Sequence, residues 1–368
     1  MKKAKTLGIL GGGQLGRMSA QAAHKLGIKT LILTPEEDSP ASQVADDTII
    51  ASYDDTNAVE QFAARVDVIS YEFENIPVET VKHLKRFTPV YPDESLLAVT
   101  QDRIAEKTFL NSIDIPTAKW ASVTAPEDIT RALKTFGAPS AILKTIRFGY
   151  DGKGQLKHNS GENINNSWES LGQVPLIAEE IIDFDFEISV IVARDHTGHT
   201  IAYPPVLNEH ENHILSKTIA PAPVPQNLAK QAQDLAVRLA EKVNLRGVLA
   251  LELFVTREGK LLANEIAPRT HNSGHWSIDA CAVSQFENHV RAVCGLPVLD
   301  PGQHHEAVMI NLIGEDVKRA EEFKTQKNAC VHLYGKHDTK PGRKMGHVTI
   351  LGKKIEGSRN AKDTKDAK

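Results

Sequence analysis

Val248-Leu249-Ala250-Leu251-Glu252-Leu253-Phe254-Val255-Thr256-Arg257-Glu258-Gly259-Lys260-Leu261-Leu262-Ala263-Asn264-Glu265-Ile266-Ala267-Pro268 reads as two apolar strands joined through Arg257-Glu258-Gly259. With Glu258-Gly259 as a two-residue hairpin loop, Glu252 stands directly opposite Glu265. The other face then pairs Leu251 with Ile266 and Val255 with Leu262, a sensible core. Like charges opposed on a sheet are destabilising, and a divalent cation would neutralise them. Mg2+ takes one or two carboxylates together with waters and nucleotide phosphates. The plainer readings are two solvated carboxylates on an exposed face, or a longer turn that slips the register.

The strand's exit is a dense polar run: Arg269, His271, Asn272, Ser273 and His275 fall within seven residues. Polar loops at strand ends are where sites are commonly built. The histidines lack metal-ligand spacing with any cysteine, so anion binding and positioning fit better than zinc. A buried, satisfied histidine is the bland alternative for any one of them. Upstream, Lys144 precedes Phe148-Gly149-Tyr150-Asp151-Gly152-Lys153-Gly154-Gln155, a glycine-rich loop able to fold over phosphates. It is not a GxxxxGK[ST] loop; a strand-borne lysine with a glycine-rich flap is closer to the kinase arrangement. A flexible surface hairpin is the other reading. Downstream, Lys336, Arg343 and Lys344 sit on glycine-flanked turns that suit a phosphate, or form a solvated charged loop.

The first hundred residues alternate strand and helix: strands at 6–10, 30–33 and 66–73, helices at 14–27 and 57–65. That alternation predicts a parallel sheet. Gly11, Gly13 and Gly16 form GxGxxG between the first strand and helix, a place where backbone N–H groups meet an anion. A dinucleotide, with Glu36 or Glu37 on its ribose, another phosphate, and plain strand-to-helix packing all remain open. A helical stretch at 95–112 precedes a change of texture at Pro116. Further expected elements are strands at 141–145, 176–182 and 187–193, a helix at 228–243, a helix at 277–295 carrying Cys281 and Cys294, and strands at 308–313, 329–333 and 347–351. The tail from Lys353 is charged and expected to be disordered.

The chain has 368 residues, enough for two or three domains. Its 43 Lys plus Arg against 47 Asp plus Glu leave a net charge of −4, against a nucleic-acid binder. No apolar run approaches the ~18 residues of a membrane span. Cys281, Cys294 and Cys330, odd in number and without metal spacing, read as reduced thiols. A cytosolic location is expected.

Taken together, the glycine-rich first strand, Tyr71-Glu72-Phe73-Glu74-Asn75-Ile76-Pro77, the 149–155 loop, the 264–275 run and the 334–347 turn resemble the N5-carboxyaminoimidazole ribonucleotide synthetase family of the ATP-grasp superfamily. The resemblance covers roughly residues 5 to 352. It implies an α/β protein of the ATP-grasp fold: an N-terminal Rossmann-like parallel-sheet domain over 1–115, a small lid over 116–194, a C-terminal α+β domain over 195–352, and a disordered tail over 353–368.

It also implies a C–N bond-forming ligase of purine biosynthesis that spends ATP on bicarbonate, through carboxyphosphate, to carboxylate 5-aminoimidazole ribonucleotide. Another ATP-grasp carboxylase or ligase with a different acceptor is the alternative. Mg2+, or Mn2+ in its place, would sit on Glu252 and Glu265; biotin is not implied, and a homodimer is. The nucleotide site would comprise Arg103, Lys144, the lid residues Gly149, Tyr150, Asp151, Gly152, Lys153, Gly154 and Gln155, then Glu179, Glu180, Ile181, Ile182, Glu187, His210, Asn264 and Glu265. Arg269 and His271 would hold bicarbonate, and Tyr150 and Asp151 would position the amine, Asp151 being a candidate base. Gln14, Glu72, Asn272, Ser273, Lys336, Arg343 and Lys344 would meet the ribonucleotide, so the glycine-rich first turn would serve substrate rather than a dinucleotide.

Overall fold

The computed structural model describes residues 4–147 and 154–355, organised around three sheets. The first is parallel throughout, in the order Asp47–Ile50, Lys29–Thr34, Thr6–Leu10, Val68–Tyr71. Parallel neighbours need crossover connections, and helices Gln14–Lys25 and Thr56–Ala64 supply two of them. The first helix ends two residues short of Gly27, which takes the left-handed φ of +68° that closes a helix C-terminus. The stretch 95–112 is two helices, Glu94–Thr100 and Arg103–Ser112. Asp102 divides them: it is extended, and its carboxylate accepts from the N–H groups of Ile104 and Ala105 at 3.1 Å.

The second sheet is small and antiparallel: Trp120–Val123, Leu176–Glu180, Ser140–Thr145, Gln155–Asn159. Helix Pro126–Phe136 packs its apolar face on it. The third is a nine-stranded antiparallel sheet with Leu261–Ala267 at one edge and Gly247–Thr256 next. Strand Phe184–Arg194 pairs with Gly247–Thr256, so it belongs to this large sheet and not to a lid running to residue 194. The reason lies in its alternation: Ile188, Val190 and Val192 join Leu249, Leu251, Leu253 and Val255 over helix Gln226–Lys242. Burying each such side chain contributes roughly 1.5–3 kcal/mol. The small sheet's unit therefore ends in the connection after Glu180.

The helix expected over 277–295 is broken. Ser277–Ala280 stops at Cys281, which is extended and bridges Gln303. The chain re-enters a helix at Gln285–Val293 once the Ser284 side chain caps Glu287 N–H, and Cys294 lies just past its end. All three cysteines are free thiols. The last strand, Lys344–Lys354, is longer than expected at both ends, and Lys354 pairs with His305. The tail predicted from Lys353 therefore begins in a strand, and its part beyond residue 355 lies outside the described residues. Among the described residues no helix is long and apolar enough to cross a membrane.

Candidate active site

The hairpin pairs Glu252 with Glu265 and Leu251 with Ile266, as its pattern predicts. Beyond that, Val255 faces Leu261 rather than Leu262. The turn is longer than two residues: Thr256 N–H bonds to Lys260 O and Gly259 N–H to Thr256 O, with Gly259 at φ +73°. A bulge at Asn264 absorbs the extra residue, since Leu253 pairs with Ala263 while Glu252 pairs with Glu265. Without it, a one-residue slip would turn Glu265 toward the apolar face.

These carboxylates do not stand alone. Glu252 is 9% exposed and lies 3.0 Å from His271 Nε2, whose hydrogen bond and charge hold its carboxyl below the ordinary range against the opposing effect of burial. Glu265 opens on the cleft with Arg103 3.9 Å away; its enclosure and the facing Glu252 push its carboxyl up. Glu187, from the adjoining strand, is pushed up to about 7 by burial and then by Glu252 and Glu265, with His210 Nδ1 at 3.4 Å. Glu252 thus raises the carboxyls of both Glu265 and Glu187, a local surplus of negative charge that suits a divalent cation.

Across the cleft, Lys144 on the small sheet pairs with the buried Glu179 at 2.9 Å. Lys107 approaches the same carboxylate at 3.9 Å, and these lysines hold Glu179 low in spite of its burial. Glu180 accepts from Lys119 Nζ at 3.2 Å, and Ile181 and Phe184 expose apolar surface in the following connection. Gly154 accepts from Thr145 N–H and Gln155 pairs with Lys144. Gly149, Tyr150, Asp151, Gly152 and Lys153 lie outside the described residues.

Arg269 is held by a short ion pair between its Nε and Glu74, and its guanidinium also donates to Thr270 O at 3.0 Å. Gln285 fixes the His271 backbone at both ends, accepting from its N–H at 2.9 Å and donating to its carbonyl at 2.6 Å. Asn272 and Ser273, expected to face substrate, turn inward instead. Ser273 is fully buried, with Ser189 Oγ at 2.7 Å and His271 Nδ1 at 2.9 Å; Asn272 bonds Asn311 at 3.0 Å. Buried polar groups must find partners, and these two have spent theirs on supporting His271 and the sheet.

In the N-terminal unit the GxGxxG turn already holds an acidic side chain. Glu72 accepts from Gly13 N–H at 2.5 Å and from Gly16 N–H at 3.0 Å. A Cβ on Gly11 would stand 2.3 Å from Glu72 Cγ, and one on Gly13 2.5 Å from its Oε1. The glycines therefore make room for a carboxylate of the same chain, which settles the motif's open alternatives against a dinucleotide pyrophosphate. Gln14 begins the helix beside this turn. Facing it, Lys336 donates to Lys344 O at 2.8 Å and Arg343 donates to Asp338 O at 3.1 Å; burial pushes the Glu72 carboxyl up, against the hydrogen bonds from Gly16 and Gly13 and the charges of Arg269 and Lys336. Gln43 donates to Gly335 O at 2.9 Å and accepts from Arg17, tying the basic turn to the first domain.

Asp279, His332 and His347 form a second cluster, with potential ligand atoms within 4.8 Å of one another. Its histidine rings stack with only 13° between their planes, so their lone pairs run side by side rather than converging. His332 Nε2 is already 2.9 Å from Asp279, and His347 Nδ1 2.9 Å from Tyr334 OH. This is hydrogen-bonded packing.

Sequence reasoning missed Glu74, Glu106, Lys107, Ser189 and Gln285. A signal existed for two: Glu106 and Lys107 occupy inward positions of a helix where apolar residues belong.

A parallel-sheet first domain, a small lysine-bearing sheet and a large sheet with opposed glutamates define an ATP-grasp protein. The ATP-grasp domain family matches residues 108–286, the ribonucleotide synthetase preATP-grasp domain residues 4–101, and the phosphoribosylaminoimidazole carboxylase C-terminal domain residues 307–361. The N5-carboxyaminoimidazole ribonucleotide synthase of Brucella melitensis is 45% identical over 353 residues, 95% of this chain and 97% of that protein. That of Bacillus subtilis is 42% identical over 94% of this chain and 91% of its own length. The Aspergillus clavatus enzyme, solved with ADP and 5-aminoimidazole ribonucleotide, superposes with a TM-score of 0.89 at 31% identity, covering 96% of this chain and 95% of that one. The chain belongs to the N5-carboxyaminoimidazole ribonucleotide synthase family.

Proposed function

We infer that this chain is an ATP-dependent C–N bond-forming ligase of purine biosynthesis, converting 5-aminoimidazole ribonucleotide to its N5-carboxy derivative with release of ADP and phosphate. The observation that carries the reading is the Glu252–Glu265 pair facing Lys144 and Glu179 across one cleft, in a chain that matches this family over nearly its whole length.

Bicarbonate is the carboxyl source: its oxygen attacks the γ-phosphorus of ATP, the bond to ADP breaks, and the carboxyphosphate formed passes its carboxyl to the exocyclic amine. Glu252 and Glu265 would hold Mg2+, or Mn2+, which neutralises phosphate charge when bound. Lys144 and Arg103 bind phosphate oxygens once ATP enters. Residues Glu179, Glu180, Ile181 and Ile182 border the adenine, Glu187 accepts from a ribose hydroxyl, and His210 and Asn264 complete the nucleotide site. Arg269 and His271 hold bicarbonate and the anion derived from it. The 149–155 loop excludes water, which would hydrolyse carboxyphosphate, with Tyr150 and Asp151 set against the amine. Gln14 and Glu72 face the ribonucleotide, whose phosphate meets Lys336, Arg343 and Lys344. A homodimer in the cytoplasm is part of this reading.

The test is phosphate release from Mg-ATP and bicarbonate with and without 5-aminoimidazole ribonucleotide. Strong stimulation by the ribonucleotide is expected; Mg-ATP binding with no stimulation would point to a different acceptor.

Lys336 gives a second test. Burial, then Arg343, lowers its ammonium to about 8, against the pull of Glu72. It is therefore cationic below that pH and loses its charge above it. Because kcat/KM reports the free enzyme, kcat/KM for the ribonucleotide is expected to fall as the pH rises through about 8, while that for ATP falls less. Lys336→Arg, charged throughout, should remove the difference. Equal alkaline losses for both substrates in the unaltered protein would take Lys336 out of the phosphate site.

A further inference from the structure

The opposed glutamates depend on a bulge, and the bulge lies in an edge strand. Leu261–Ala267 ends the nine-stranded sheet, so one side of its backbone has no neighbouring strand. Unpaired N–H and C=O groups on such an edge need partners from elsewhere.

Helix Arg103–Ser112 provides them at the bulge itself. Glu106 Oε1 accepts from Ile266 N–H at 2.6 Å, and Lys107 Nζ donates to Asn264 O at 2.8 Å and Ala263 O at 3.4 Å. Pro116 O accepts from Ala263 N–H at 2.7 Å just beyond. Both side chains are almost wholly buried, 3% and 2% exposed. Burying two ionisable groups is costly, and placing them edge-on to the bulged Asn264 and to Ala263 and Ile266 on either side of it is what that cost achieves here. Lys107 also stands 3.9 Å from Glu179, which pairs with Lys144. One ammonium thus links the bulged strand of the large sheet to the phosphate-facing lysine of the small one.

We propose that Glu106 and Lys107 are positioning residues that clamp the Asn264 bulge, keep Glu265 on the same face as Glu252, and join that carboxylate pair to the Glu179–Lys144 pair. The proposal rests on the reading of Glu252 and Glu265 as the metal-holding residues. Neither Glu106 nor Lys107 touches nucleotide in it; both act through the strand.

Its consequence is selective. Loosening the bulge lets the register slip, which moves Asn264 and Glu265, while Glu179 keeps Lys144 at 2.9 Å, so the adenine connection at 179–182 and the ribonucleotide site stay in place. The experiment is ADP binding by calorimetry to the full chain, with Mg2+ and with EDTA, alongside ribonucleotide KM and thermal denaturation. Lys107→Met is expected to weaken Mg2+-supported ADP binding by about tenfold or more, as loss of an outer-shell support does. Binding in EDTA should weaken less than binding with Mg2+, and the ribonucleotide KM should be unchanged. Glu106→Ala should behave alike, whereas Glu106→Gln, which keeps an oxygen to accept from Ile266 N–H, should bind Mg-ADP as the unaltered protein does. If Lys107→Met does not fold, the Ala and Gln variants of Glu106 carry the test. Equal weakening with and without Mg2+, no weakening, or equal loss in Glu106→Gln and Glu106→Ala would overturn the clamp. If ADP binding to the unaltered protein is indifferent to Mg2+, the metal reading fails, and the clamp with it.

Discussion

Glu265→Gln is expected to abolish turnover while leaving the fold as stable as before, or more so. The amide has the shape of the carboxylate, and the side chain opens on the cleft, so packing is undisturbed. What is lost is one of two like charges opposed across a hairpin, and its loss relieves a repulsion that pushes both the Glu265 and Glu187 carboxyls up. Stability and catalysis should therefore move in opposite directions, as they do where a site stores unfavourable electrostatics. Turnover should fall by at least about a hundredfold, the scale of removing one preorganised charge from a phosphoryl-transfer site. Mg2+-supported ADP binding should weaken with it and the ribonucleotide KM should not. Phosphate release and thermal denaturation on one preparation check this. Full activity in the variant would remove Glu265 from the metal site.

The hairpin also shows how far a sequence reads. A strand's period of two and its apolar face were enough to oppose Glu252 and Glu265. The assumed two-residue turn was not the one formed: a longer turn and a bulge offset each other, and the slip shows between them, where Leu253, Phe254 and Val255 pair with Ala263, Leu262 and Leu261. The polar run at 269–275 announced a site without revealing which side chains point inward. Ser273 and Asn272 are committed to Ser189 and Asn311, partners on strands far along the chain. Supports of that kind leave little local trace. Lys107 reaches Asn264 across 157 residues, Glu106 reaches Ile266 across 160, and Glu74 reaches Arg269 across 195. Each contact exists because domains dock, and docking is a property of surfaces that periodicity does not encode. The GxGxxG turn makes the point from the other side: its local geometry is an anion site, and only the return of the strand Val68–Tyr71 beside the first brings Glu72 to fill it.

The Glu74–Arg269 pair separates structure from chemistry most sharply. Arg269 is the cation assigned to bicarbonate, and Glu74 holds its carboxylate below the ordinary range, in spite of burial, by pairing with it. Arg269→Met leaves a carboxylate enclosed without its partner. Breaking such a pair costs roughly 3 kcal/mol, the low end for buried pairs because Glu74 keeps part of its surface in the cleft. Turnover should fall together with stability, by about a hundredfold to a thousandfold, the range seen on losing one oxyanion donor. The single variant cannot say whether the loss is chemical or structural; the double variant Arg269→Met with Glu74→Gln can. With no charge left unpaired, most of the lost stability should return, because contacting residues are not additive. Turnover should stay low, since the guanidinium that meets bicarbonate and the carboxylated phosphate formed from it is gone. Urea denaturation and phosphate release on all four members of the cycle make the comparison. If activity returned along with stability, Arg269 would be a strut between the first domain and the large sheet, and the anion would have to be held by His271 and its Gln285-braced loop.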